Sequence, residues 1–346
     1  MGDFISKITD RHYPYFIAEI GINHNGDVSL AKSMIEAAYE CGADCVKFQS
    51  FIADEYISEF AQKASYQKVS AFEEISQREI IGQCQLSEVQ MRSLHEFSIN
   101  LGIDFLSTPF EITSLYNLLD LGLPAIKVSS CNLTNVPFLN QVALSSTPTL
   151  LSTGMGEIDE VAAAVRIFKE KQVPLLLFQC TSNYPSKPEH ANLSVIGAYQ
   201  NLFQIPIGLS DHTESDTTSI AAVALGAVAI EKHFTLSRSL PGIDQASSLE
   251  PQDLKRLIVN LKECKDSLGE ALKKRTSEEN DTALALRRSL VAGVNIAAGE
   301  VVDDGNLTIM RPGTGIPPNM LSHIVGKKLV KSAVKGEILT WDHFIT

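Results

Sequence analysis

Short apolar runs alternate with amphipathic segments along most of the chain. The runs fall at residues 15–20, 45–49, 104–107, 125–128, 149–152, 175–179, 205–210 and 228–234. Each is short and rich in Val, Ile, Leu or Phe, the pattern of a buried parallel strand. The segments between them carry helical periodicity. Residues 29–40 place Leu30, Met34, Ala37 and Ala38 on one face. Residues 87–100 open with Ser87 and Gln90 at capping-box spacing. Residues 158–169, 215–225 and 251–268 repeat the pattern, the last with Pro251 in its first turn. Eight strand–helix units within about 250 residues predict an α/β fold of the (β/α)8 TIM-barrel type. A doubly wound open sheet is the alternative. It usually carries GxGxxG after its first strand, and this chain has none there.

Two stretches depart from the alternation. Residues 50–85 are polar and follow the second strand, where a long connection is expected to be a functional loop or an oligomer contact. After residue 270 the pattern changes to short strands and turns, with AAGE (297–300) and VKGE (334–337) reading as twin turns. The expected organisation is a barrel over 1–270, a linker over 271–286 and a small β-rich domain over 287–346. The 346 residues carry a net charge of −12, which divides into +2 for residues 287–346 and −14 for the rest. An acidic chain lacks the basic face that nucleic acid or anionic lipid requires. No apolar run reaches the ~20 residues that cross a bilayer. The first residues include Asp3 and Asp10, unlike a signal peptide. The six cysteines form no CxxC pair, so reduced thiols and a cytoplasmic setting are expected.

Barrel enzymes take their reactive groups from the C-terminal ends of the strands. Here those ends supply Glu19 with Asn23 and His24; Lys47 and Gln49; Thr108 and Phe110; Lys127, Ser129 and Ser130; and Ser152 with Thr153. The last three supply Gln179, Thr181, Ser182, Asn183 and Tyr184; Ser210, Asp211 and His212; and Lys232 with His233. Lysines and histidines inside apolar runs are costly to bury without partners. Lys47 and Lys127, with several hydroxyls, suit a phosphate or phosphate-carboxylate ligand; a Schiff-base lysine is the rival role. The STG of 152–154 adds hydroxyls and backbone amides. His212 and His233, at neighbouring strand ends, suit a divalent metal, and mixed nitrogen and oxygen ligation favours Mn²⁺ over Mg²⁺.

The ordered motifs FIAEIGINHNGD (16–27), VKFQ (46–49), STPF (107–110), IKVSS (126–130), LSTGM (151–155), CTSNYP (180–185), GLSDHT (208–213), ALGAVAIEKHFT (224–235) and PGID (241–244) resemble the bacterial sialic acid synthase family, including its legionaminate-type relatives. The tail, with MRPGTGIPP (310–318), is similar to the antifreeze-like SAF domain that closes these enzymes. The resemblance implies condensation of phosphoenolpyruvate with an open-chain N-acylated mannosamine-type sugar. The products are a nine-carbon 2-keto acid and phosphate released by C–O cleavage. It implies phosphoenolpyruvate binding by Lys47, Lys127, Ser130, Ser152, Ser210 and part of CTSNYP, with Thr108, Phe110 and Ser182 in the same substrate pocket. His212 and His233 would bind Mn²⁺ or Mg²⁺, Glu19 would be an acid/base or water-orienting group, and Gln49, Tyr184 and Asp244 would line the sugar site. Arg311 would reach the barrel of a partner subunit in a homodimer with swapped SAF domains.

The chain departs from the family pattern at Cys131–Asn132, where Gly-Glu is common, at Gln245, where His is common, and at Ser182 in the family's CTN position. Asn132 retains a hydrogen-bonding amide but no carboxylate. These changes bear on the sugar more than on phosphoenolpyruvate. KASYQK (63–68) looks closer to sialate and legionaminate types than to pseudaminate types. A pseudaminate-type synthase, a Schiff-base aldolase using Lys127, and a catalytically lost scaffold are the competing readings.

Overall fold

The computed structural model describes residues 4–62 and 76–344; KASYQK lies outside the described residues. Two compact units divide the chain, Met1–Gly269 and Glu270–Thr346. The first is built on eight parallel strands: β1 (Tyr15–Gly21), β2 (Cys45–Ser50), β3 (Asp104–Pro109), β4 (Ile126–Val128), β5 (Thr149–Ser152), β6 (Leu175–Cys180), β7 (Ile207–Ser210) and β8 (Ala229–His233). Their order is β3-β2-β1-β8-β7-β6-β5-β4, a near-closed (β/α)8 barrel with β3 and β4 at its seam. The helices following the strands include Val28–Glu40, Glu88–Leu101, Ile158–Glu170, Asp216–Ala224 and Pro251–Leu268. Ser87 and Gln90 form the expected capping box, satisfying amides that the first helical turn leaves free.

Strand alternation sorts the side chains into two cores. Phe16, Ala18 and Ile20 of β1 pack outward with Met34, Ile35 and Phe105 in the strand–helix layer. Tyr15 and Ile17 point the other way, into the barrel, with Cys45, Leu106, Leu150 and Phe178. The N-terminal helix Phe4–Thr9 adds Phe4, Ile5 and Ile8 to that inner cluster. The N-terminal end of the barrel is thereby filled with apolar groups, leaving polar chemistry to the C-terminal end. In the connection after β2, the described residues form two short helices, Ala53–Tyr56 and Gln77–Gln83.

The second unit contains an antiparallel pair, β9 (Ser289–Ala292) and β10 (Leu307–Met310). Its core includes Leu290, Ile296, Val302, Ile316 and Leu329. The twin turns are alike in detail. Gly299 and Gly336 have φ of 89° and 88°, in the left-handed region open to glycine. The following glutamates, Glu300 and Glu337, accept from the backbone N–H groups of Ala297 (2.6 Å) and Val334 (2.8 Å). No helix among the described residues is long and apolar enough to cross a membrane. All six cysteines are free thiols, five of them buried or half-buried and Cys131 exposed.

Candidate active site

A cavity of about 310 Å³ opens at the C-terminal end of the barrel. Its floor consists of inward-facing strand residues. Glu19 comes from β1, Lys47 from β2, Lys127 from β4 and Glu231 from β8, all nearly inaccessible to water. Lys47 Nζ lies 2.7 Å from Glu19 Oε2 and 3.9 Å from Glu231 Oε2. Lys127 Nζ is 3.1 Å from Glu231 Oε1. Hydroxyls complete the floor. Lys47 donates to Thr108 Oγ1 (3.1 Å), Lys127 donates to Ser152 Oγ (2.8 Å), and Ser210 donates to Glu231 Oε1 (2.9 Å). Gln49 donates to Glu19 Oε1 at 3.1 Å. The ring of Phe178 lies 4.9 Å from the Lys127 ammonium.

This alternation of charge sets the protonation states. Burial alone would raise the Glu231 pKa, but Lys127 and Lys47 outweigh it and hold the carboxyl at about 2. Burial raises the Glu19 pKa against the pull of Lys47, with the nearby Glu231 charge adding to the rise. Burial also lowers Lys127, despite Glu231. The result is a floor in which Lys47 stands between two carboxyls, of which Glu19 is the more readily protonated and can serve as the base.

The loop after β5 brings a backbone amide to the floor. Gly154 N–H donates to Ser130 Oγ at 2.9 Å. A Cβ at Gly154 would stand 2.3 Å from Ser182 Oγ and 2.9 Å from Ser130 Oγ. Only glycine permits that approach, and the amide with two hydroxyls forms a small anion cradle.

Two imidazoles occupy one side of the cavity. His212 and His233 have ring centroids 5.6 Å apart, and the Tyr184 ring lies 4.1 and 5.5 Å from them. His212 donates from Nδ1 to the Thr181 carbonyl at 2.7 Å, which fixes the ring and leaves Nε2 as its lone pair. His233 Nδ1 is buried without a hydrogen-bond partner, 3.9 Å from Asp244 Oδ2. Burial, opposed by Asp244, holds the His233 pKa down to about 4. A neutral ring with an unspent nitrogen, a second oriented imidazole and a nearby carboxylate fit a divalent ion of borderline softness. Among the described residues no three His, Cys, Asp or Glu side chains converge into a metal cluster. His212 and His233 would be the imidazole donors to such an ion.

Most residues picked out by sequence line this cavity: Glu19, Lys47, Gln49, Thr108, Phe110 and Lys127 from the first four strands and their ends, then Ser130 and Ser152. Ser182, Tyr184, Ser210, His212, His233 and Asp244 complete them. Asn132 is placed elsewhere. Its amide donates to the Phe110 carbonyl (3.2 Å) and accepts from Asn135 (3.0 Å). It lines a neighbouring cavity of about 590 Å³, which shares Tyr56, Phe110 and Cys131 with the first. Arg311 is exposed and follows β10 in the second unit.

Strand alternation corrects the strand-end inventory. Lys232 does not face the cavity; it pairs with Asp211 at 2.8 Å on the outer side of the wall. Gln179 turns outward to the Ala191 carbonyl, and Asn23 donates to Phe234 O and Ser248 Oγ. His24 is buried 5.8 Å from the Phe48 ring. Several cavity residues escaped the sequence reading, two of them with ionisable side chains. Glu231 is two residues before His233 and shares its face; Cys180 is two before Ser182 and sits 3.9 Å from His212 Nδ1. Period-two alternation from the histidine is the signal that points to Glu231.

The description "NeuB family" matches residues 34–273, and the SAF domain matches residues 287–345. This chain belongs to the NeuB family. It is an enzyme, a synthase of the transferase type. The N,N'-diacetyllegionaminic acid synthase of Legionella pneumophila is 39% identical over 95% of this chain and 94% of its own. The mouse N-acetylneuraminate-9-phosphate synthase is 35% identical over 92% of this chain and 89% of its own. Among solved structures, an N-acetylneuraminic acid synthetase from Leptospira borgpetersenii, in complex with citrate, is 32% identical, with a TM-score of 0.71 over 78% of this chain and 90% of that one. These relatives place the NeuB chain among synthases of nonulosonic acids.

Proposed function

We propose that this NeuB chain condenses phosphoenolpyruvate with an open-chain N-acylated mannosamine-type sugar, giving a nine-carbon 2-keto acid of the sialic or legionaminic class and inorganic phosphate. The observation that carries the reading is the floor. Two buried lysines, four hydroxyls and the Gly154 amide converge below a pair of imidazoles. Lys47 and Lys127, with Ser152 and Ser210, hold the phosphate and carboxylate of phosphoenolpyruvate. Ser130, Ser182 and the Gly154 amide cradle the remaining oxygens. Thr108 orients the Lys47 ammonium.

Sugar binding falls to the cavity above. Gln49, Tyr184 and Asp244 contact its hydroxyls, and Phe110 packs on its carbon face. His212 and His233 would hold Mn²⁺ or Mg²⁺, which supplies Lewis acidity at the sugar aldehyde. The enol carbon of phosphoenolpyruvate forms the new C–C bond to the aldehyde carbon, whose oxygen takes up a proton. Water adds to C2 of the former enol, with Glu19 positioned to take its proton. The C2–O bond to phosphate then breaks, the electron pair leaves with phosphate, and C2 becomes the ketone. In the proposed homodimer, Arg311 of a swapped SAF domain offers a planar fork to the acyl oxygen.

Incubation with phosphoenolpyruvate, Mn²⁺ and either N-acetylmannosamine or 2,4-diacetamido-2,4,6-trideoxymannose tests the reading. The expected result is phosphate release that requires both substrates, with a nonulosonate detected by mass spectrometry. Phosphate release indifferent to sugar, or none with either sugar in folded protein, contradicts it. One observation favours a second reading: Lys127 is lowered by burial, as a Schiff-base lysine needs. Borohydride trapping with pyruvate separates the two, since the condensing enzyme forms no lysine adduct.

A further inference from the structure

A buried charged pair lies in the outer wall of the barrel, beside the two imidazoles in sequence and opposite to them in direction. The outward row of β8 and its continuation is Ile230, Lys232 and Phe234; that of β7 is Ile207, Leu209 and Asp211. The four apolar members belong to the strand–helix core. Lys232 and Asp211 take core positions at the level just before His233 and His212, with side chains only 3% and 1% exposed, and neither lines the cavity. The pair is fully partnered. Lys232 Nζ lies 2.8 Å from Asp211 Oδ2 and donates to the carbonyls of Thr213 and of Ser215 (3.5 Å), which uses all three of its protons. Asp211 Oδ1 accepts from the Thr213 backbone N–H and hydroxyl, both at 2.8 Å. Its Oδ2 also accepts from Ser219 Oγ at 2.6 Å, in the helix Asp216–Ala224.

A buried ion pair is a poor way to gain stability, since apolar side chains of similar volume often do as well or better. Its value here is geometric. The ladder between β7 and β8 ends at Ser210 and Glu231, with a last bond from the Asp211 N–H to the Glu231 carbonyl at 2.8 Å. The ladder between β6 and β7 ends at Cys180 and Ser210. His212 therefore lies past the strand pairing on both of its sides, whereas His233 is still paired, opposite Glu19 of β1. The Lys232 ammonium spans that gap. It comes from the strand that carries His233 and binds the loop that carries His212, at Asp211 and Thr213 on either side of that histidine. The Thr181 carbonyl orients the His212 ring. The Ser186 N–H adds one bond to the His212 carbonyl, at 2.8 Å. Both of these come from the loop after β6 and give no tie to β8.

Resting on the reading of His212 and His233 as donors to a divalent ion, we infer that Lys232 and Asp211, braced by Ser219, are positioning residues that set one imidazole relative to the other and so tune the affinity for the ion. They reach neither the cavity nor the rings. They act through the backbone on either side of His212.

Titration of the full chain with Mn²⁺ alone, with the free ion read by electron paramagnetic resonance, tests this without turnover. Lys232→Met keeps the stem and removes the ammonium. It is expected to weaken Mn²⁺ binding by about 10–100-fold, the range found for partners that orient metal ligands. Ser219→Ala removes a single bond to Asp211 and is the variant to use if Lys232→Met does not fold; its expected loss is smaller, about three- to tenfold, the worth of one hydrogen bond. Ile8→Ala, which removes core packing at the opposite end of the barrel, is expected to bind Mn²⁺ as the wild type does. Wild-type affinity in folded Lys232→Met, or in Ser219→Ala where Lys232→Met does not fold, overturns the inference. So does an equal loss in Ile8→Ala, which would make the effect one of stability alone. Wild-type protein that binds no Mn²⁺ removes the metal reading and the inference with it, while phosphate release that requires both substrates would leave the condensation standing.

Discussion

Glu231 sits between two ammonium groups where burial alone would favour its protonated form. Replacing it by Gln leaves Lys47 and Lys127 with one buried counter-charge between them. Breaking a buried pair on one side typically costs about 3–5 kcal/mol, so Glu231→Gln is expected to lower the urea midpoint strongly. The pH dependence has a definite sign. The carboxyl falls from an ordinary 4.5 to about 2 on folding, so its contribution is complete above about 4.5 and is lost as pH falls towards 2. Urea unfolding of both proteins across that range should show the wild-type advantage shrinking as the medium becomes acidic; a constant gap contradicts the assignment. Residue identity was legible for the lysines and histidines, because charged groups inside apolar runs stand out. Glu231 was not, because it lies beside Lys232 and reads as half of an ordinary solvated pair. Side-chain alternation separates them: Glu231 enters the cavity and Lys232 faces Asp211. The direction of Asn132 was not legible for another reason: in the one-turn 3-10 segment Ser130–Asn132 it is set by the Phe110 carbonyl, 22 residues away, together with the nearby Asn135.

Gln245 belongs to the same scale. Its Nε2 donates to the Asn23 carbonyl at 2.8 Å, its Oε1 accepts from Thr235, and it is buried one residue beyond Asp244. It ties the loop after β8 to the loop after β1. In Gln245→Leu both partners lose a buried hydrogen bond, at about 1–3 kcal/mol each. The expected kinetic signature is a raised KM for the sugar with the KM for phosphoenolpyruvate unchanged, since Asp244 faces the sugar side and the floor does not depend on this loop. An equal rise in both KM values would contradict that division.

At the scale of elements, the strands were the most legible part of the molecule. Eight runs became eight parallel strands, with ends moved by a few residues at most, because strands buried on both faces carry continuous apolar sequence. The helix Phe4–Thr9 was missed. Its six residues are too few for a periodic signal, and its apolar face has meaning only against the barrel's inner core. Ile8 is fully buried there. Ile8→Ala should cost about 2–4 kcal/mol by cavity formation, read as a lowered melting temperature. Because the helix fills the barrel end opposite the charged floor, phosphoenolpyruvate affinity measured by calorimetry should not change. A loss of affinity in Ile8→Ala would show that the two ends are coupled.

At the scale of the whole molecule, the net charge of −12 described the surface and left the site open. A chain acidic overall concentrates two buried lysines in one cavity, where each charge acts at short range on its buried partners. The order of motifs carried the family membership because nearly every motif ends a strand, and strand ends share one rim in this fold. What sequence could not supply was the pairing within that rim, since Lys47 and Lys127 meet Glu19 and Glu231 only once the barrel closes.

The central claim is condensation by C–O cleavage. It is tested most directly with phosphoenolpyruvate carrying ¹⁸O in the bridging position, turned over with 2,4-diacetamido-2,4,6-trideoxymannose and Mn²⁺. Released phosphate that retains the label, with a ketone oxygen drawn from water, is the predicted result. Unlabelled phosphate, with the label kept in the keto acid, would mean P–O cleavage and would contradict the account.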